Sequence, residues 1–171
     1  MDRYRPSNEL MQRFARRVAF YGINDDTRHN MAQFRPVMEL HLDALIKDFY
    51  RYLRAMPEAR GFIADDDMVA RLVEKQRRHW ERLFTVSLDE SYLDSALMVG
   101  RVHHLAGVPV YLYTAGYNRF LCEFLRITIA HYAGVLTVTG IVTAITRLVH
   151  LDMDLALSVY VAEVEKASSR S

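Results

Sequence analysis

Apolar residues recur along this chain three and four residues apart, the spacing of one face of an α-helix, and sustained alternation of the kind strands need is absent. Leu10, Phe14 and Val18 form the first stripe. Ser7, just before it, is a residue type that caps a helix by accepting a first-turn N–H. The stretch YGIND breaks the stripe, and Asp25 or Asp26 is expected to cap a short second helix ending at Pro36, since proline donates no backbone hydrogen bond and crowds the preceding turn. A third helix is expected from Pro36, with Met38, Leu42, Leu45, Phe49 and Leu53 on one face. MPEARGF reads as a turn and a short helix.

ADDD at 64–67 puts carboxylates at a helix N-terminus, where the helix dipole favours them. That helix carries Met68, Leu72, Val73, Trp80, Leu83 and Phe84 inward. Ser87 or Asp89 opens the next, which holds Tyr92, Ala96, Val99 and His103. Gly107 and Pro109 stop it and start a long helix from about 110 to 132. After Gly134 the longest helix is expected from about 136 past Tyr160, with EKASSRS fraying at its end. Its stripe of Ile141, Ile145, Leu148 and Leu155 is widened by Val138, Val142, Val149 and Ala156. A face that wide implies two burial partners, and a homodimer through the last two helices supplies the second most economically; the competing reading is a deeply buried helix in a monomer. The expected fold class is all-α, one domain over 1–171 with a core over about 7–165.

The 171 residues, 51% of them hydrophobic, suffice for one substantial core. A net charge of +1 gives no electrostatic case for a nucleic-acid partner. The basic stretch EKQRRHWER is punctuated by acids and reads as a solvated helix face. The N-terminus has no secretory apolar run. No uninterrupted apolar stretch of about 18 residues occurs, so no membrane partner is expected. The single cysteine, Cys122, suits a reducing cytoplasm, allows no disulfide within one chain, and is expected to be buried filler.

Candidate chemistry concentrates in VGRVHHLAGVPVYLY at 99–113. His103 follows Val99 and Gly100 by four and three residues and shares their face. Gly100 lacks a side chain, which would let a flat ligand approach. His104 points about a hundred degrees away and is expected to be more exposed. On the residues alone, a hydrogen-bonded core histidine competes with a metal ligand. A zinc site has no HExxH to support it, whereas haem needs a single axial imidazole. In KDFYRYL, Tyr50 follows the core residue Phe49 and can aim a neutral donor into an apolar cavity; its ring could equally pack while its hydroxyl meets solvent.

With these stretches in view, the chain resembles the sensor-globin domain of bacterial globin-coupled sensors, relatives of the protoglobins. The likeness is carried in order by RVAFYGINDDTRHNMAQFRP, DFYRYLRAMPEARGFI, LVEKQRRHWERLF, LDESYLDSALMVGRVHHLAGVPVYLYTAGY and LVHLDMDLALSVY, over about 17 to 160. It implies a globin fold with an extra N-terminal helix and a reduced or absent D helix, and b-type haem. It makes His103 the iron ligand and Tyr50 the hydrogen-bond donor to bound oxygen. It sets Tyr113 against the histidine and offers Leu72 and Gln76 as distal candidates. The haem-contacting set is then His103, Tyr50, Phe49, Leu72, Gln76, Val99, Gly100 and Tyr113. It also implies a dimer and a sensor of oxygen, carbon monoxide or nitric oxide. A separate output module would carry the signal: a diguanylate cyclase, histidine kinase or chemotaxis transducer. No such module and no catalytic constellation falls within these residues, so a sensor fragment or a single-domain member is expected. The competing readings are a single-domain globin with nitric oxide dioxygenase-like activity and a haem-free regulatory dimer.

Overall fold

The computed structural model describes residues 8–168, with side chains described as far as Ala162. Within them are seven helices and no strand: α1 Asn8–Phe20, α2 Asp25–Ala55, α3 Pro57–Arg60, α4 Asp66–Leu83, α5 Glu90–Leu105, α6 Val110–His131 and α7 Val135–Ser168. The proposed cap Ser7 and residues 169–171 of the tail lie outside the described residues. The tail does not fray at 165, because α7 continues to Ser168.

The caps are local chemistry. Asn24, not Asp25 or Asp26, caps α2. Its Oδ1 accepts from the Thr27 N–H at 3.1 Å and the Thr27 hydroxyl oxygen accepts from the Asn24 N–H at 3.3 Å. This reciprocal pair satisfies two otherwise orphaned donors. Asp25 and Asp26 fall in the first turn. Asp65 caps α4, and Asp89 rather than Ser87 caps α5.

The break expected at Pro36 does not occur, and α2 runs straight through it. An interior proline costs about 3 kcal/mol. Met31 and Phe34 before it, and Val37 and Met38 after it, are all buried, and full burial of such side chains contributes about 1.5–3 kcal/mol each. A chain ending at Pro36 would forfeit more than it saves. At Pro57 the outcome is the opposite. Met56, immediately before it, is extended at φ −86° and ψ 121°, the conformation a following proline favours. No comparable set of buried residues flanks that junction.

The core is a set of aromatic rings from α2, α4 and α6, with Trp80 in contact with Phe84, Phe120 and Phe124. Helix α7 closes it by packing against α2, α5 and α6. Ile141, Ile145, Leu148 and Leu155, expected to serve two surfaces, are all at most 2% exposed within the single chain. Val149 and Ala156 are buried too, while Val138 and Val142 are half-buried. Three helical neighbours account for most of the width of that stripe. Over 135–162 α7 is also long and apolar enough to cross a membrane. Cys122 is exposed, contrary to the expectation: it sits about 200° around α6 from the buried Phe120 and Phe124.

Candidate functional site

The last turn of α5 sets the first half of the site. His103 lies one turn after Val99, and its Nδ1 is 2.8 Å from the Val99 carbonyl oxygen. A carbonyl only accepts, so Nδ1 carries the proton and Nε2 keeps its lone pair. Burial pushes the imidazole below the usual histidine range, against the opposing effect of the Val99 hydrogen bond. The group is therefore a neutral imidazole with one free nitrogen, the form that ligates a metal.

The chain then turns back at Gly107, whose φ of +72° lies in the left-handed region. The Val108 N–H donates to the His103 carbonyl at 3.0 Å. Pro109 starts α6, and the first turn of α6 returns Tyr113 to His103. The two rings meet edge to face, 4.9 Å between centroids. The expected pairing of His103 with Tyr113 is thus in place. His104 is half-buried, as His103 is, and Tyr160 of α7 covers its ring at 5.3 Å between centroids.

Gly100 has a different purpose from the one expected. A Cβ there would fall 2.3 Å from the Ala156 carbonyl oxygen and 2.8 Å from the Ala156 Cα. Its bare face receives the backbone of α7, so it permits a close helix crossing rather than the approach of a flat ligand.

The second half lies on α2 and α4. Tyr50 is 6% exposed, and burial pushes its phenol far above the ordinary tyrosine range. Its hydroxyl makes no hydrogen bond among the described residues, so a neutral donor stands uncommitted. Tyr50 and Val69 line a cleft of about 260 Å³ together with Lys47, Arg51 and Arg54. Leu72 and Gln76 follow Val69 by three and seven residues on the same face of α4, and both are half-buried.

Helix α6 spans the two halves. Phe49, beside Tyr50, packs on Phe120 at 4.7 Å. Its ring also lies 3.4 Å from where a Cβ of Gly116 would be, one turn beyond Tyr113. The structure therefore groups Tyr50 with Phe49 on one side and His103 with Val99 and Tyr113 on the other. Among the described residues no three His, Cys, Asp or Glu side chains converge as a metal site. His103 offers a single nitrogen. That donor set fits an iron whose remaining in-plane ligands come from a macrocycle.

A buried polar cluster behind Tyr113 was missed in the sequence. Asp152 of α7 is 0% exposed. It accepts from the Tyr92 hydroxyl at 2.6 Å and the Tyr117 hydroxyl at 2.6 Å, and lies 2.8 Å from His79 Nε2. Tyr117 in turn accepts from the Tyr113 hydroxyl at 3.1 Å. Burial alone would push His79 down, but the charge and hydrogen bond of Asp152 outweigh it and hold the imidazole above its usual range. Burial would likewise raise Asp152, and His79 with both tyrosines holds it below the usual carboxylate range. The two directions describe one ion pair. His79 came from the basic stretch read as a solvated face. The detectable signal was Asp152 itself, an acid centred on the stripe of Ile145, Leu148 and Leu155.

Comparison with known proteins agrees with this architecture. The family model of Protoglobin matches residues 10–166. The heme-based aerotactic transducer HemAT of Halobacterium salinarum is 30% identical over 105 residues, which cover 61% of this chain and 22% of that protein. The chain thus spans about a fifth of that relative. Among solved structures, the globin domain of a Geobacter sulfurreducens globin-coupled sensor superposes with a TM-score of 0.80 at 20% identity, covering 85% of this chain and 96% of that one. The ferric globin domain of E. coli DosC gives 0.75 at 16% identity, covering 85% and 97%. At these identities the superpositions establish the fold, which is that of a globin.

Proposed function

The chain belongs to the Protoglobin family, and we propose that it is a regulatory haem-based gas-sensor domain, with oxygen as its principal signal. The observation that carries this reading is His103, neutral, with Nδ1 held by Val99 and Nε2 free. His103 would hold the iron of a b-type haem, with Val99 and Tyr113 beside the imidazole and Phe49, Leu72 and Gln76 towards Tyr50. Ferrous haem supplies reversible binding of oxygen, carbon monoxide or nitric oxide. The protein's part is to orient the imidazole, exclude water with the α2, α4 and α6 side chains, and present the Tyr50 hydroxyl as a donor. In an apolar setting that hydrogen bond is little screened.

The similarity to an aerotactic transducer that is far longer than this chain supports a sensory role whose output lies in another module. Helix α7, which packs against both α5 and α6, is the element suited to pass the signal on. A homodimer through α6 and α7 is part of the reading. It is supported by the incompletely covered Val138 and Val142 and by the exposed Ile129, Val135 and Leu136 around the α6–α7 link. The lone, exposed Cys122 is in keeping with a reducing cytoplasm.

The test is reconstitution with haem, followed by reduction and titration with oxygen and with carbon monoxide, read by absorption. The reading predicts one haem per chain and saturable, reversible spectral changes with each gas. Absence of stoichiometric haem uptake would contradict it.

A further inference from the structure

Asp152 sits at 0% exposure in the middle of α7, where an unpaired charge would be strongly unfavourable. It takes three donors from three different helices: Tyr92 on α5 at Oδ1, and Tyr117 on α6 and His79 on α4 at Oδ2. An ionised carboxylate only accepts, so the direction of every bond behind it is fixed. Tyr117 must donate to Asp152, which leaves the Tyr117 oxygen to accept. Tyr113 must then donate to Tyr117, as its 3.1 Å contact shows. The Tyr113 hydroxyl is thereby committed away from His103, and its ring is held edge to face against the imidazole at 4.9 Å.

We propose that Asp152 is a positioning residue for His103: the chain Asp152–Tyr117–Tyr113 sets the ring on which the imidazole rests, so that α7 and the proximal histidine shift together. Its functional meaning rests on the reading of His103 as the axial ligand; the positional coupling itself does not. Tyr92 provides an internal control. It donates to the same carboxylate over the same 2.6 Å, but it is outside the branch that leads to Tyr113.

The experiment uses the haem-free chain first, observing the His103 ring resonance by NMR, assigned through its loss in His103→Ala. The Tyr113 ring is near enough to His103 to imprint a ring-current shift on it. Tyr117→Phe keeps the ring and deletes the relay hydroxyl; Tyr113→Phe deletes the next hydroxyl. Both are expected to move the His103 resonance, and the double variant to move it no further than one alone, as members of one chain should behave. Tyr92→Phe is expected to lower stability while leaving the resonance in place. Asp152→Asn replaces one acceptor by a donor, and where it folds it is expected to act as Tyr117→Phe does. In the haem-loaded ferrous protein, the iron–histidine stretching frequency should shift in the same variants and not in Tyr92→Phe. An unmoved His103 resonance in Tyr117→Phe, or an equal shift in Tyr92→Phe, would overturn the proposal. Full haem retention by His103→Ala would instead overturn the ligand assignment, and the haem-free result would be untouched by it.

Discussion

The Nδ1 of His103 lies 2.8 Å from the carbonyl oxygen of Val99, one turn back on the same helix. That bond selects the tautomer, fixes the plane of the ring and leaves one nitrogen free, all by means of backbone that α5 supplies anyway. The Tyr113 ring then limits how the imidazole can tilt. Here one partner is present, and the second nitrogen is available to a ligand.

Tyr50→Phe preserves ring volume and removes a hydroxyl that has no protein acceptor, so folding stability should be nearly unchanged. A hydrogen bond to a charged acceptor contributes about 1.5–3 kcal/mol, so oxygen dissociation should accelerate roughly ten- to a hundred-fold. Carbon monoxide carries less negative charge when bound, and its release should change far less. Stopped-flow release of both gases decides. Equal acceleration would assign Tyr50 to access rather than hydrogen bonding, and no effect on either would direct the search to Gln76.

Gly100→Ala should destabilise the haem-free protein by about 1–3 kcal/mol, the range for overpacking a filled site. The added methyl would meet the Ala156 backbone, which has no rotamer to move away. Urea denaturation of the haem-free chain is the measurement. Unchanged stability with weakened haem uptake would restore the ligand-approach role.

The cluster around Asp152 makes stability depend on pH in a defined way. His79 has a raised folded pKa, so its contribution is complete below about pH 6.5, the unfolded value, and is lost as pH rises through the folded value. Asp152 has a lowered one, so its contribution is present above about pH 3.9 and is lost as pH falls through the folded value. His103 is lowered, so it opposes folding as pH falls below about 6.5. Arg82 faces the pair and works against protonation of His79. Tyr92 and Tyr117 are pushed far up and stay neutral. Urea midpoints of the haem-free chain should therefore decline on the alkaline side of about pH 6.5, and His79→Gln should remove that decline. A decline of the same slope in the variant would show that His79 does not carry it.

Val142 is the position for testing assembly, because it is half-buried on α7 while its neighbours Ile141 and Ile145 are filled core. The wild-type chain should sediment as a dimer at micromolar concentration, and Val142→Glu as a folded monomer. A stable wild-type monomer would remove the interface through α6 and α7.

Helical periodicity and capping chemistry made nearly every element legible in the sequence. They failed where a tertiary effect exceeded a local one. Pro36 is a strong local stop, yet the buried residues on both sides of it keep α2 whole. Cys122 has apolar neighbours along the chain, but its direction around α6 is outward. His103 was legible from the helix face it shares with Val99, and Tyr113 through the family likeness, which sets a tyrosine of the following helix against that histidine. Gly100 was misread because a missing side chain is equally consistent with a ligand and with a crossing helix, and only the position of Ala156 distinguishes them. The Asp152 cluster was not legible because its members are up to 73 residues apart, from His79 to Asp152 (152 minus 79), and nothing local links them.

The most direct measurement on the central claim is haem uptake by His103→Gly, with His104→Gly as its neighbour control, followed by absorption and repeated with free imidazole added. The account predicts that His103→Gly loses haem or its native spectrum, that imidazole restores the spectrum through the vacated position, and that His104→Gly binds haem as the wild type does. A native haem spectrum in His103→Gly without imidazole, or its loss in His104→Gly alone, would contradict it.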